Sequence, residues 1–317
     1  MSERLENVEA MNLLITGAHG QLGRELWQAA QARGHDVKAP SHLQMDITNM
    51  KAVRNFIDRH QPVCVINAAA YTQVDKAEIE ESFAFAVNKT GCTNLAQVCA
   101  EGEIPLFQIS TDYVFDGQKK APYLESDPVS PIGIYGLSKA AGETEIRLNL
   151  RKHIILRTSW LYGVYGQNFV KTMLKLSGTQ ENIRVVSDQY GSPTSAVDLA
   201  IAILSIAEQW YQHSSVAWGT YHYCGKGVAS WHEFAETIIE LARRYGDVKT
   251  TRVEPITTAD FPTKAKRPAF SALNCNLIGT NFGIKPKPWR ESLKLTIRRF
   301  YELKQAVDGT PLDNSLP

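Results

Sequence analysis

Short apolar runs alternate with stretches of helical apolar spacing through the first half of the chain. "MNLLITG" reads as a strand, and "QLGRELWQAAQARG" as a helix closed by Gly34. "HDVKAP" is a second short strand. "MKAVRNFIDRHQP" reads as a helix that stops at Pro62, and "VCVINAAAY" as a buried strand. "SFAFAVNKTGCTNLAQVCAEG" carries its apolar positions on one helical face. "PLFQISTDYVF" is a further strand, followed by a helix from about Ile134 to Leu148 and the strand "HIILRTSW". Near-continuous apolar strands between helices predict a parallel sheet covered on both faces. That is a doubly wound α/β fold, whose ligands sit beyond the carboxyl ends of the strands.

The alternation loosens after Trp160. "QNFVKTMLKLSG" predicts a helix. "IRVVSDQYGSPTSAVDLAIAILSIAEQW" predicts a strand, a loop and a helix, and "GTYHYCG" a strand. "SWHEFAETIIELARRYG" is helical, with Ser230 as N-cap and Glu233 placed for a capping box. "TADFPTKAKRPAFSAL" is loop-rich, and a last helix begins near Trp289. The expected division is a discontinuous nucleotide-binding domain of residues 11–160 plus about 186–224. A smaller α/β substrate domain takes about 161–185 and 225–305. Residues 1–10 and 306–317 read as loose termini.

At 317 residues the chain is long for a single core, which fits this division. A net charge of +1 gives no surplus for nucleic acid or an anionic membrane. No apolar run reaches membrane-spanning length, and "MSERLENVEA" is too polar for a signal peptide. The five cysteines show no C-x-x-C spacing, which fits reduced thiols in a cytoplasmic protein. His232 has an acidic neighbour, but it reads as part of a helix start and no metal site is assigned.

Gly17, Gly20 and Gly23 stand at G-x-x-G-x-x-G spacing between a strand and a helix. Such a turn lets a pyrophosphate approach backbone N–H groups at a helix N-terminus. No acid closes the second strand, where one would hold a ribose 2′-hydroxyl. Lys38 or His42 stands there instead, facing a 2′-phosphate or simply solvated. This favours NADPH and leaves NADH open. Asp46 is placed to reach an adenine or to cap the next helix. Ala68, Ala69 and Ala70 suit a cofactor lying on the backbone, or equally a close-packed strand end. Asn88 is placed to brace the neighbouring strand through its amide.

"STDY" sets Ser110, Thr111, Asp112 and Tyr113 where an apolar strand stops. Tyr135 and Lys139 lie four residues apart and share a helix face. A phenol with its ordinary pKa of about 10 exchanges protons poorly near neutrality. A nearby ammonium would lower it, so the pair reads as acid and tuner. On a surface helix it would mean nothing.

The segments "LLITGAHGQLGREL", "NAAAYTQVDKAE", "STDYVFDG", "YGLSKAAGE", "RTSWLYG", "DQYGSPT" and "RPAFSAL" resemble the extended short-chain dehydrogenase/reductases. Within them they are most similar to the dTDP-4-dehydrorhamnose reductase family, over residues from about 12 to 300. The resemblance implies a Rossmann-type fold and a catalytic Thr111, Tyr135 and Lys139. It implies cofactor contacts at Gly17, Gly20, Gln21, Leu22, Asp46, Ile47, Ala69, Ala70 and Tyr71, besides Tyr135 and Lys139. It implies dTDP-sugar contacts at Thr111, Asp112, Trp160, Asn168 and Arg267. Trp160 also reads as plain core, and Arg267 as a surface arginine. The family carries Asn two residues before its tyrosine, where this chain has Gly133. Some members hold magnesium at a dimer interface through glutamates, but those ligands do not map here. A homodimer is compatible with the resemblance.

The implied reaction is NAD(P)H-dependent reduction of a 4-keto sugar nucleotide to dTDP-L-rhamnose. Sugar-nucleotide epimerases and dehydratases are the nearest alternative. A dehydratase would carry an Asp–Glu pair after its threonine, whereas Asp112 is followed by Tyr113. The other alternative is a non-catalytic NADP-binding regulatory subunit, a role the intact Thr111, Tyr135 and Lys139 disfavour.

Overall fold

The computed structural model describes residues 9–308, so the expectations for residues 1–8 and 309–317 lie outside the described residues. The first half runs β1 (Asn12–Thr16), α1 (Gln21–Ala32), β2 (Asp36–Lys38), α2 (Met50–His60), β3 (Cys64–Asn67), α3 (Val74–Ala77), α4 (Glu81–Phe85), α5 (Gly91–Glu101), β4 (Leu106–Thr111), α6 (Ile134–Asn149) and β5 (His153–Thr158). The second half continues with β6 (Leu161–Tyr162), α7 (Phe169–Ser177), β7 (Asn182–Val186), β8 (Tyr190–Gly191), β9 (Thr194–Ser195), α8 (Ala196–His213) and β10 (Gly219–His222). It ends with β11 (Ala229–Ser230), α9 (Trp231–Ala242), β12 (Arg252–Ile256), α10 (Asn276–Phe282) and α11 (Trp289–Asp308).

Six strands form one parallel sheet in the order β2-β1-β3-β4-β5-β10. The chain leaves β1 to one side for β2 and to the other for β3. The crossovers therefore diverge at β1, which opens a crevice at the carboxyl ends of the strands. Thr16 lies opposite Asn67, and Thr111 opposite Thr158. β3 and β5 are buried along their whole length, as strands covered on both faces must be.

One core joins β1, α1, α8 and β10 through Leu26, Ile203 and Tyr221, and α10 adds Phe282 to it. The opposite face packs Leu14, Val65, Leu95 and Leu106. A separate core joins α7, β7, α9 and α11 through Met173, Ile183, Phe234 and Leu293. Each such side chain, fully buried, contributes about 1.5–3 kcal/mol. Among the described residues no helix is long and apolar enough to cross a membrane.

Four local expectations need correction. The helix foreseen over "SFAFAVNKTGCTNLAQVCAEG" is interrupted by a π-turn at Ala86–Thr90. The extra residue in that turn accompanies a bridge from Asn88. Its Oδ1 accepts from the Tyr71 N–H at 2.9 Å, and its Nδ2 donates to the Tyr71 carbonyl and the Ser138 hydroxyl, each at 3.0 Å. Asp46 does not cap α2, because Asn49 does. Ser230 caps α9, but Glu233 pairs with Arg290 instead of closing the capping box. Finally, β12 and α10 had no counterpart in the sequence pattern. β12 is a strand only through its parallel pairing with β7, and α10 is under two turns long.

Candidate active site

The glycine turn joins β1 to α1. Gly17 has φ +67°, and a Cβ there would lie 2.5 Å from the Ala69 N atom. Both the left-handed backbone and the contact with the next strand require glycine. A Cβ on Gly23 would meet the Gly17 carbonyl oxygen at 2.2 Å, so α1 packs directly on the turn. Gly20 is the N-cap of α1 and supplies no side-chain cap, and the first turn carries no acid. The N-terminal N–H groups and the positive end of the helix dipole are left open to an anion.

A cleft of about 660 Å³ lies beyond the strand ends. Gly20, Gln21, Leu22 and Ala70 line one side of it, and Thr111, Asp112, Tyr135 and Lys139 another. Trp160 and Asn168 complete it from the segment after β5. Gly17, Asp46, Ile47, Ala69, Tyr71 and Arg267 do not line this cleft. Asp46 folds back onto Thr48, accepting from its N–H and its hydroxyl, each at 2.8 Å. Ile47 is buried beneath Gly91. The Tyr71 hydroxyl donates to Glu80 at 2.7 Å. Lys38 pairs with Asp36 at 2.9 Å.

Thr111 ends β4. Its hydroxyl donates to Asp112 Oδ1 at 3.0 Å and accepts from the Tyr113 N–H at 3.2 Å. Asp112 is 2% exposed. Burial pushes its carboxyl up to about 7, against the nearby Ser271 and Thr111 hydroxyls, which favour the charged form. Among the described residues neither its Oδ2 nor the Thr158 hydroxyl, both buried, has a hydrogen-bond partner, and both residues line the cleft.

Tyr135 occupies the first turn of α6, its ring edge-on to Tyr113 with centroids 5.6 Å apart. Lys139 lies one turn on, buried, with its ammonium donating to the Ile109 carbonyl at 2.6 Å. The expected lowering of the tyrosine by this lysine is not found. Burial pushes the Tyr135 phenol up to about 12, and the neighbouring Asp112 adds to that. The nearby Thr111 hydroxyl is what opposes the rise. Burial also lowers Lys139 below the ordinary lysine value, because the ammonium is desolvated.

Trp160 has φ +47°, a backbone state that is costly for a bulky residue. Its ring stacks on Trp231 with centroids 3.5 Å apart and planes 7° from parallel. Gly191 makes room, since a Cβ there would lie 2.4 Å from Trp160 Cε2. Asn168 caps α7 through Oδ1 and donates to Gln21 Oε1 at 2.6 Å and to the Gly163 carbonyl at 2.8 Å. Both its polar atoms are therefore engaged, and it ties Gln21 to the second half of the chain. Arg267 forms a two-pronged ion pair with Asp75, at 2.6 and 3.2 Å. Its guanidinium is held by a carboxylate within the protein.

Sequence reading missed three supports of the site. Glu143, fully buried, accepts from Arg157 at 2.6 and 2.9 Å and from the Ser110 hydroxyl at 2.6 Å. This cluster pins α6 to β4 and β5 behind Lys139. Its only sequence signal was an acid one turn beyond the lysine. Trp231 lines the cleft beneath Trp160 but reads as an ordinary helix-start residue. Glu78 reaches the N-terminus of α6 from just after α3, which no local pattern reveals.

A parallel sheet with a glycine turn after β1, a Thr at the end of β4 and a Tyr–Lys pair on α6 defines the extended short-chain dehydrogenase/reductase class of fold. The model of the RmlD substrate binding domain family matches residues 11–302. A dTDP-4-dehydrorhamnose reductase of Aggregatibacter actinomycetemcomitans is 44% identical over 92% of this chain and 99% of its own. The crystal structure of a dTDP-4-dehydrorhamnose reductase from Clostridium acetobutylicum superposes with TM-score 0.85 at 41% identity, covering 91% of this chain and 99% of its own. That of the Bacillus anthracis reductase, in complex with NADP, superposes with TM-score 0.86 at 38% identity, covering 92% and 100%. The chain belongs to the dTDP-4-dehydrorhamnose reductase family.

Proposed function

We propose that this protein reduces the 4-keto group of dTDP-4-dehydrorhamnose to give dTDP-L-rhamnose, with NADPH as preferred reductant and Tyr135 as proton donor. The observation that carries this reading is the convergence of Thr111, Tyr135 and Lys139 on one cleft beside the uncapped start of α1. The names of the relatives support the substrate, and the NADP in the Bacillus anthracis structure supports the cofactor.

The chain's residues suit a dinucleotide. Gly20, Gln21 and Leu22 would hold its pyrophosphate at the open α1 terminus. When bound, the nicotinamide supplies the hydride. Tyr135, held protonated by burial, gives its proton to the oxygen that becomes an alkoxide at C4 of the sugar. A phenol pushed up to about 12 keeps its proton until that strongly basic oxygen develops. Thr111 orients the same oxygen with its hydroxyl. Lys139, anchored on the Ile109 carbonyl, adds positive charge behind the tyrosine as negative charge develops. Trp160, backed by Trp231, gives a flat apolar wall for the sugar nucleotide. Residues 11–160 with about 186–224 would bind the cofactor, and about 161–185 with 225–305 the sugar.

The test is NADPH oxidation with a panel of dTDP-4-keto-6-deoxysugars, followed by NMR of the product. The reading predicts stoichiometric NADPH consumption and dTDP-L-rhamnose. Conversion without net NADPH consumption would point to an epimerase and overturn it.

A further inference from the structure

Cys224 and Cys275 lie 51 positions apart in sequence, yet their sulfur atoms approach to 3.5 Å. Cys224 follows β10, and Cys275 immediately precedes α10. Both line a cavity of about 800 Å³ that shares no lining residue with the catalytic cleft. The Cys224 N–H donates to Cys275 Sγ at 3.3 Å, so the two thiols are fixed side by side. Cys275 is half-buried; Cys224 is buried, as Cys64, Cys92 and Cys99 are in the sheet core, but it also lines this cavity. The hydrogen bond from Cys275 holds the Cys224 thiol below its ordinary range, while burial pushes Cys92 up to about 11 and Cys99 up to about 12. Two thiols in contact beside a cavity are arranged for a peroxide to convert them to a disulfide.

We propose that Cys224 and Cys275 form an oxidation site that a small hydroperoxide entering this cavity converts to an intramolecular disulfide. The Cys224 thiolate attacks the terminal peroxide oxygen. A sulfur–oxygen bond forms, the oxygen–oxygen bond breaks, and the departing oxygen leaves as water or alcohol after taking a proton. The Cys275 sulfur then attacks the Cys224 sulfenic acid, the sulfur–oxygen bond breaks, and the hydroxyl leaves as water with the second thiol proton. Two thiols are oxidised and one peroxide is reduced. The site stands apart from the proposed reductase chemistry.

The test treats the folded full chain with hydrogen peroxide, removes the peroxide, unfolds the chain in denaturant, alkylates the remaining thiols and maps the peptides by mass spectrometry. The expected result is one reductant-sensitive link between Cys224 and Cys275, with Cys64, Cys92 and Cys99 alkylated. The Cys224→Ser variant should slow oxidation of Cys275 by about tenfold or more. Five alkylated thiols after peroxide, a link between other cysteines, or unchanged oxidation of Cys275 in that variant would overturn the proposal.

Discussion

The carboxylate of Glu78 accepts a hydrogen bond from the backbone N–H of Ile134 at 2.9 Å. Ile134 is the first residue of α6, and Tyr135 follows it. The N-cap residue, Gly133, has no side chain with which to satisfy any free N–H of this first turn. A carboxylate from 56 positions earlier in the chain does so instead, and it also complements the positive end of the helix. Gly133, where the resemblance implies an asparagine, thus coincides with a cap delivered from elsewhere.

Loss of this cap should loosen the turn that holds the proton donor. Glu78→Ala is expected to cost about 1 kcal/mol of stability and to lower kcat more than it changes the NADPH Kd. A Cβ at position 133 would lie 2.9 Å from Glu78 Oε1, so asparagine and glutamate compete for this space. Gly133→Asn should therefore restore kcat in the Glu78→Ala background. Thermal unfolding and steady-state kinetics on the single and double variants check this. Failure of the second substitution to restore turnover would contradict it.

Asp112 should make stability depend on pH. Its carboxyl is pushed up to about 7 in the folded protein, against about 4 when unfolded. Between those values the folded state keeps a proton that the unfolded state has lost. Stability contributed by the neutral carboxyl is therefore complete below about pH 4, declines as pH rises, and levels above about 7. Asp112→Asn removes the titration while keeping an oxygen that can accept from Thr111. The melting temperature of the variant relative to wild type should rise from pH 4 to pH 7. Parallel curves would contradict the assignment.

Much of this architecture was legible in the sequence, because buried parallel strands leave continuous apolar runs and a positive-φ turn demands glycine. β1, the Gly17 turn and α1 follow from those two rules. The spacing of Tyr135 and Lys139 was readable as well, but not where the lysine's ammonium points. That depends on the Ile109 carbonyl, brought alongside only when β4 packs under α6. The same limit hid the partners of Glu143, Glu78 and Arg267. Arg267 and Asp75 are separated by 192 positions, and nothing in either neighbourhood advertises the pair. Burial itself reversed the expected sign for Tyr135, since a pairwise charge argument omits desolvation.

Trp231 should affect sugar binding through Trp160. Removing its ring leaves Trp160 without the face it stacks on, a contact worth about 0.5–1.5 kcal/mol beyond the buried area. Trp231→Ala is expected to raise the KM for the dTDP-sugar by about three- to tenfold or more, with the NADPH Kd unchanged. Equal losses in NADPH affinity and sugar affinity would indicate a general collapse of the cleft instead.

The most direct measurement compares wild type with Tyr135→Phe on dTDP-4-dehydrorhamnose, alongside an NADPH binding titration. The ring and its edge contact with Tyr113 are kept, and only the acidic hydroxyl is removed. A proton donor contributes about 10²–10⁴-fold to the rate, so kcat should fall by at least the lower figure while NADPH binding is retained. Turnover equal to wild type would contradict the assignment of Tyr135 as the acid.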